Sequence, residues 1–359
     1  MADFIDAPSK QRAAETLPAP ELEAYLKSEL PGFDGSLQVL QFRKGHSNLT
    51  YAISDGTRDW VLRRGPFGST VKTAHDMGRE YRILATLWRE LPFAPRALLL
   101  CEDSDVVGAP FYVMERVRGV ILREAPPKGL KWDESRSDAL CRAFLDTQVA
   151  IHGADLVEAG LHEFGKPDGY TRRQVEGWTK RYFASKTDEI PQMEAAATWL
   201  AEKLPASDEG VLIHNDLKFD NVVLEAGLQS GGNPNVIGVL DWEMATVGHP
   251  LMDFGTTLSY WLTADDGPEL ALMPFGVSGY SGAWTRSKLV GEYGEATGRD
   301  MSTIDFYHVF GLFKTAVVAQ QIYYRFHTGK TDDPRFQMMI VGVNVLSRLA
   351  ARVIAESKL

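Results

Sequence analysis

Two short acidic segments, each mounted on apolar runs, constrain this chain more than any other feature. The first is His214-Asn215-Asp216-Leu217-Lys218-Phe219-Asp220-Asn221, entered from Val211-Leu212-Ile213 and left through Val222-Val223-Leu224. The second is Leu240-Asp241-Trp242-Glu243, which closes the apolar run that begins at Val236. Short apolar runs rich in β-branched residues read as buried strands, and the spacer 225–235, rich in Gly and Asn, reads as a hairpin connection. The run 236–240 then returns antiparallel to 222–224 and brings Asp241 back towards the loop that carries Asp216. A lone H-x-D would be ordinary turn chemistry, because Asp and Asn favour turns. H-x-D-x-x-x-x-N followed by a second carboxylate at the end of a returning strand asks for more than that.

The residue types fit phosphoryl transfer. That reaction needs a carboxylate beside the acceptor hydroxyl, and an amide oxygen and a carboxylate to hold Mg²⁺ on the triphosphate of ATP. Asp216, Asn221 and Asp241 supply those three groups. It also needs a cover over the phosphates, a cation for the phosphates that are not transferred, an acid to hold that cation and a hinge for adenine. Candidates occur upstream in that order. Gly45-His46-Ser47-Asn48 lies between the first two predicted strands, where a small residue and a hydroxyl let backbone N–H groups approach phosphate oxygens. Arg63 ends the third strand, on the face opposite Leu62, and Glu80 on the following helix is its natural partner. In isolation the two are ordinary surface charges; their order around the downstream loop makes them a pair. Phe111-Tyr112-Val113-Met114-Glu115-Arg116-Val117 reads as the last strand of this region running into the hinge, with Met114, Glu115 and Val117 offering backbone groups to adenine.

Charge and composition narrow the class. With 38 Lys+Arg against 48 Asp+Glu, a formal net charge of −10 and 44% hydrophobic residues, the chain is globular in character, and its basic residues are scattered rather than striped. Nucleic acid is not expected as a partner. Cys101 and Cys141 stand alone, which indicates neither a disulfide framework nor a C-x-x-C site and makes a reducing cytoplasm the default. The first twenty residues show no signal-peptide core, and no run approaches the ~18 apolar residues needed to span a bilayer, so membrane insertion is not expected.

Three regions are predicted: a flexible segment over 1–21, a nucleotide-binding N-lobe over 22–117 and a catalytic, acceptor-binding C-lobe over 118–359. The N-lobe alternates strands (37–42, 49–54, 60–63, 97–101, 111–116) with one helix (77–90). Beyond Gly119 helical periodicity takes over, at 137–152, 172–185, 193–204, 251–263, 286–297 and 304–326. A small, mostly antiparallel sheet with one helix, followed by a larger helical lobe, predicts an α+β, bilobal, protein-kinase-like fold.

These residues together carry a resemblance. The chain resembles the aminoglycoside phosphotransferase and choline kinase superfamily, and within it the phosphotransferase domains fused to, or encoded beside, acyl-CoA dehydrogenases. The resemblance rests on Pro31-Gly32-Phe33, Gly45-His46-Ser47-Asn48-Leu49-Thr50-Tyr51, Val61-Leu62-Arg63-Arg64, Arg79-Glu80-Tyr81, Ile213-His214-Asn215-Asp216 with Asn221, Val239-Leu240-Asp241-Trp242-Glu243, Gly248-His249-Pro250-Leu251-Met252-Asp253 and Thr297-Gly298-Arg299-Asp300. It implies an ATP- and Mg²⁺-dependent transfer to a hydroxyl of a small molecule. Asp216 would orient or deprotonate the acceptor, Asn221 and Asp241 would ligate the metal with Glu243 beside them, and Arg63 would contact the α/β-phosphates while held by Glu80. His214 and Asp253 would brace the loop, and Lys218, two residues after the aspartate as in protein kinases, would neutralise the transferred phosphate. Two positions depart from the common pattern: Arg63 stands where most kinases carry lysine, and Asn215 where many relatives carry glycine. Three readings of function follow. A hydroxyacyl-CoA kinase agrees with the dehydrogenase-linked branch and with the basic stretch 171–186. An aminoglycoside or amino-alcohol kinase follows from the wider superfamily. A nucleotide-binding pseudokinase follows from the arginine at 63.

Overall fold

The computed structural model describes residues 7–42, 48–66, 76–123, 130, 132–206, 209–230, 232–263, 266 and 280–359. The chain divides into two compact units, one made of Met1–Ile121, Val157–Leu161 and Val222–Ala245, the other of Leu122–Leu156, His162–Asn221 and Thr246–Leu359.

The first unit opens with helix α1 (Ala19–Glu29), strands β1 (Gln38–Gln41), β2 (Leu49–Ser54) and β3 (Asp59–Arg64), helix α2 (Met77–Leu87), strand β4 (Ala97–Cys101), the single turn α3 (Ser104–Val107) and strand β5 (Phe111–Glu115). The strands form one antiparallel sheet in the order β1-β2-β3-β5-β4. Alternation along β3 sorts its two faces. Trp60 and Leu62 join Leu22, Leu26, Tyr51, Ile53, Phe111 and Val113 in the core beneath α1. Arg63 therefore falls on the opposite face, where its guanidinium meets Glu80 of α2. Asp76 caps α2, accepting from the backbone N–H of Arg79 at 2.8 Å.

The expectation of a flexible segment over 1–21 does not hold for residues 7–21. Ser9 and Gln41 exchange backbone hydrogen bonds of 2.9 and 2.7 Å, Tyr51 donates to the Glu15 carbonyl at 2.7 Å, and Leu17 is buried in the core beneath α1. α1 itself begins where Pro20 sits in its first turn, a position that needs no backbone donor.

The second unit carries α4 (Glu134–His152), α5 (Tyr170–Ser185), α6 (Pro191–Glu202) and strand β6 (Val211–Ile213). The chain then supplies β7 (Val222–Leu224) and β8 (Val236–Val239) to the first unit as an antiparallel hairpin with Val222 opposite Val239. It returns to the second with β9 (Thr246–Gly248), paired antiparallel to β6, and with α7 (Pro250–Tyr260), α8 (Arg286–Thr297), α9 (Ile304–His327) and α10 (Met339–Glu356). The first unit thus reaches past the predicted boundary at 117 and takes the β7–β8 hairpin with Asp241, because that hairpin pairs with Val120 and with the Phe93 carbonyl rather than with the helices.

α9 is the axis of the second unit, packed by α5, α6, α7 and α10. Its contact with α7 is close enough to require glycine on both sides. A Cβ at Gly311 would stand 1.9 Å from the Gly255 carbonyl oxygen, and one at Gly255 would stand 2.1 Å from that of Tyr307. α10 lies beyond the predicted helices. The stretch Pro334–Glu356 is long and apolar enough by length and composition to cross a bilayer, which the sequence reading did not single out; here α10 packs along α9 and against α6.

Candidate active site

In the second unit, β6 delivers the loop that carries Asp216, and the start of α7 holds that loop by its backbone. Asp253 accepts from the N–H groups of His214 at 3.2 Å and Asn215 at 2.5 Å. His152 of α4 steadies the same carboxylate, with Nε2 3.0 Å from Asp253 Oδ2 and Nδ1 2.7 Å from the Tyr293 hydroxyl. Burial alone would push Asp253 up; the hydrogen bond and charge of His152 and the loop N–H groups outweigh it and hold the carboxyl below its usual range. His214 turns inward, its Nδ1 accepting from the Asp216 N–H at 3.2 Å. Asn215 has φ +66°. That left-handed backbone suits Gly or Asn and few other residues, which explains why asparagine can stand where relatives carry glycine.

The Asp216 side chain is engaged at both oxygens. Lys218 Nζ donates to Oδ2 at 2.8 Å and Asn221 Nδ2 to the same oxygen at 3.3 Å, while the Tyr260 hydroxyl donates to Oδ1 at 2.9 Å. Asn221 Nδ2 also reaches the Asp216 carbonyl at 2.9 Å. This leaves the Asn221 amide oxygen, the atom a hard cation would want, pointing elsewhere than Asp216.

Two groups here were not singled out by sequence. Tyr260 ends α7. Lys314, buried in α9, donates to the Asn215 carbonyl at 2.6 Å and lies 5.8 Å from the Trp178 ring centroid. Burial pulls its ammonium down to about 8, against the pull of the Asp216 and Asp253 carboxylates. The available signal was a single lysine inside the apolar run Gly311-Leu312-Phe313-Lys314-Thr315-Ala316; charge on a buried helix face asks for a partner.

In the first unit, Arg63 is the hub. Its guanidinium meets Glu80 Oε1 at 2.9 Å and Asp241 Oδ1 at 2.8 Å, with Glu243 Oε2 at 3.9 Å. Asn48 Nδ2 donates to Glu243 Oε2 at 2.6 Å. Burial pushes the Glu80 carboxyl up and Arg63 pulls it back; Arg63 is held in its charged form by Glu80 and Asp241 despite its own burial. Asp241 has φ +68° and is, with Asn215, one of two residues other than glycine in the left-handed region among those described. Its side chain is 32% exposed, against 1% for Glu80, so Asp241 is the carboxylate of the pair that solvent or a ligand can reach. Asp241 and Glu243 are hard oxygen donors, which suit Mg²⁺ rather than a softer metal.

At the predicted hinge, the Glu115 N–H donates to the Arg96 carbonyl at 2.9 Å, so an N–H for adenine would have to come from elsewhere, and Val117 is the next candidate. Met114 is buried in the sheet opposite Val61. Gly45, His46 and Ser47 lie outside the described residues. The structure therefore gathers Arg63, Glu80, Asp241, Glu243 and Asn48 in one unit, and Asp216, Lys218 and Asn221 in the other.

Residues 38–289 match the sequence profile described as "Phosphotransferase enzyme family". Among curated proteins, the chain is 35% identical over 318 residues to acyl-CoA dehydrogenase family member 11 of Rattus norvegicus, covering 87% of this chain and 40% of that protein. It is 34% identical over 342 residues to family member 10 of Mus musculus, covering 93% of this chain and 31% of that protein. The chain thus spans well under half the length of these relatives. Among solved structures, a candidate aminoglycoside phosphotransferase from Ralstonia eutropha superposes with TM-score 0.80 at 28% identity, covering 96% of this chain and all of that one. The aminoglycoside phosphotransferase APH(4)-Ia in complex with ADP and hygromycin B shares the fold at TM-score 0.58 and 16% identity, covering 92% and 97% of the two chains. The kinase-like α+β fold is thereby shown, and the chain belongs to the phosphotransferase enzyme family.

Proposed function

We propose that this protein is an ATP- and Mg²⁺-dependent O-phosphotransferase that passes the γ-phosphate to a hydroxyl of a small molecule, and that the acceptor is a hydroxyacyl thioester of coenzyme A. The observation that carries the reading is the Asp216 carboxylate, fixed by Lys218 on one oxygen at 2.8 Å in a loop whose backbone is clamped by Asp253. A carboxylate so held can accept the acceptor hydroxyl and take its proton as the bond to phosphorus forms. Lys218 stands next to it as a positive charge for the transferred group. Arg63, backed by Glu80, is the group proposed for the non-transferred phosphates. Bound Mg²⁺, held by Asn221 and Asp241 with Glu243 beside them, would neutralise triphosphate charge. Transfer would then rest on positioning and charge, with no covalent enzyme intermediate.

The acyl-CoA part follows the names of the relatives rather than the chemistry of the loop. Hygromycin B in a structural neighbour keeps an aminoglycoside acceptor as the competing reading. A pseudokinase is less well supported, because Asp216, Asn221 and Asp241 are all present and Arg63 keeps its acidic partner. A cytoplasmic setting agrees with two buried, unpaired cysteines. The test is ATP consumption by the purified chain with Mg²⁺ across hydroxyacyl-CoAs, aminoglycosides, amino alcohols and sugars. Turnover with a hydroxyacyl-CoA supports the proposal; binding of ATP with no turnover on any hydroxyl would replace it with the pseudokinase.

A further inference from the structure

α7 presents one face to the loop of Asp216 along its whole length. Asp253, Thr257 and Tyr260 are spaced i, i+4, i+7, which places them on one side of a helix. Asp253 accepts from the His214 and Asn215 N–H groups, the Thr257 hydroxyl donates to the Leu217 carbonyl at 3.1 Å, and the Tyr260 hydroxyl donates to Asp216 Oδ1 at 2.9 Å. The first two contacts fix backbone. The third fixes the reactive side chain. Lys218 completes a triangle, its Nζ 2.8 Å from Asp216 Oδ2 and 4.9 Å from the centre of the Tyr260 ring. The phenol is held un-ionised by burial and by the Asp216 charge, so it remains a donor.

A carboxylate accepts about four hydrogen bonds, two at each oxygen. Oδ2 of Asp216 receives Lys218 and Asn221, whereas Oδ1 receives Tyr260. We propose that Tyr260 is a positioning residue for phosphoryl transfer: it locks the Asp216 carboxylate so that the acceptor hydroxyl docks on the second lone pair of Oδ1, beside the phenol. Without the Tyr260 hydroxyl the carboxylate can rotate about its Cβ–Cγ bond, and the acceptor loses its fixed partner. The proposal rests on the phosphotransferase reading above.

The test uses the full chain and has two arms. In the first, Tyr260→Phe keeps the ring under Lys218 and removes only the hydroxyl. Loss of one hydrogen bond to a charged group corresponds to a fall in kcat on the order of tenfold to a hundredfold, with the KM for ATP unchanged within about twofold. Tyr260→Phe combined with Lys218→Met should lose less than the product of the single losses, because both act through one carboxylate. Turnover by Tyr260→Phe within about twofold of the parent, on an acceptor the parent phosphorylates, overturns the proposal and leaves the phosphotransferase reading standing. The second arm needs no acceptor. With tyrosine labelled by ¹³C at Cζ, the Tyr260 resonance, identified by its absence in Tyr260→Phe, should move in Asp216→Asn. A resonance indifferent to Asp216→Asn overturns the contact itself. If it moves while the parent transfers phosphate to no hydroxyl, the contact stands and the functional reading fails.

Discussion

At the scale of single residues, the two halves of the site make separable demands. Arg63 and Glu80 form a pair almost closed to solvent, at 8% and 1% exposure. Breaking one partner of such a pair costs on the order of 3–5 kcal/mol, because a buried charge is left uncompensated. Arg63→Ala and Glu80→Ala should therefore each lower both thermal stability and ATP use, and the double variant should lose less than the sum. Strict additivity in urea midpoints and in KM for ATP would disconnect the two. Arg63→Lys should recover part of the loss only, since one ammonium cannot meet Glu80 and Asp241 as a fork does. The carboxylates divide differently. Asp216→Asn should abolish transfer and leave nucleotide affinity within a few-fold, whereas Asp241→Ala should remove the Mg²⁺ dependence of nucleotide binding. Calorimetric titration of Mg·ADP into both variants separates them, and retained turnover in Asp216→Asn would end its assignment as the acceptor's base. What the sequence could show here was residue type and order. It could not show that Asp241 meets Arg63 directly, because the two are joined by a contact 178 positions long.

At the scale of elements, β2, β4 and α8 lie where periodicity put them. The helix predicted over 77–90 ends instead at Leu87, and that over 251–263 at Tyr260; boundaries are set by capping and tertiary contact more than by pattern. Asp253 was legible as a brace of the Asp216 loop, whereas Lys314 and Tyr260 were not. Lys314 reaches the Asn215 carbonyl from 99 positions away, and Tyr260 reaches Asp216 from 44. No spacing rule reports such pairs. Lys314 makes a prediction of its own. A lysine with its folded value lowered from 10.5 to about 8 binds fewer protons in the native state than in the unfolded state between those two pH values. Stability from this group therefore rises as pH goes from about 8 to about 10.5, and the cost of burying the charge is present in full below 8. The full shift corresponds to about 3 kcal/mol. Lys314→Met removes that term, so the difference in urea midpoint between parent and variant should move in favour of the parent over this window. A difference that stays flat from pH 7.5 to 10.5 would mean that Lys314 keeps its charge, or that it is not buried in solution.

At the scale of the whole chain, the two-part α+β design was readable from the switch between period-two and period-four patterns near Gly119, whereas α10 was not. The pattern there is nonetheless amphipathic, with Asn344, Arg348 and Arg352 four residues apart on one side and Val343, Leu346, Leu349 and Ala350 buried on another. α5 is the helix with the most basic surface beside the Asp216 loop; Tyr170 at its start meets the Asn215 side chain at 3.1 Å, and the Trp178 ring lies 5.8 Å from Lys314 Nζ. Not all of that charge faces a ligand. Lys186 pairs with Glu189 and Glu194 at 2.7 and 2.6 Å, Arg173 donates to the carbonyls of Lys166 and Asp168, and Arg181 lies over Trp178 at 4.7 Å. Arg172 and Lys180 remain exposed. A polycationic aminoglycoside would be repelled by such a helix, whereas the phosphates of coenzyme A would be drawn to it. At equal concentration, a 4-hydroxyacyl-CoA should therefore be phosphorylated in preference to a kanamycin-type substrate. Arg172→Ala with Lys180→Ala should raise the KM for the thioester several-fold at low ionic strength and less at high, because exposed charges are screened beyond about 10 Å at 0.1 M salt. The KM for ATP should stay where it was. Preference for the aminoglycoside, or a thioester KM indifferent to both substitutions and to salt, would remove coenzyme A from the proposal and leave the kinase chemistry of Asp216 untouched.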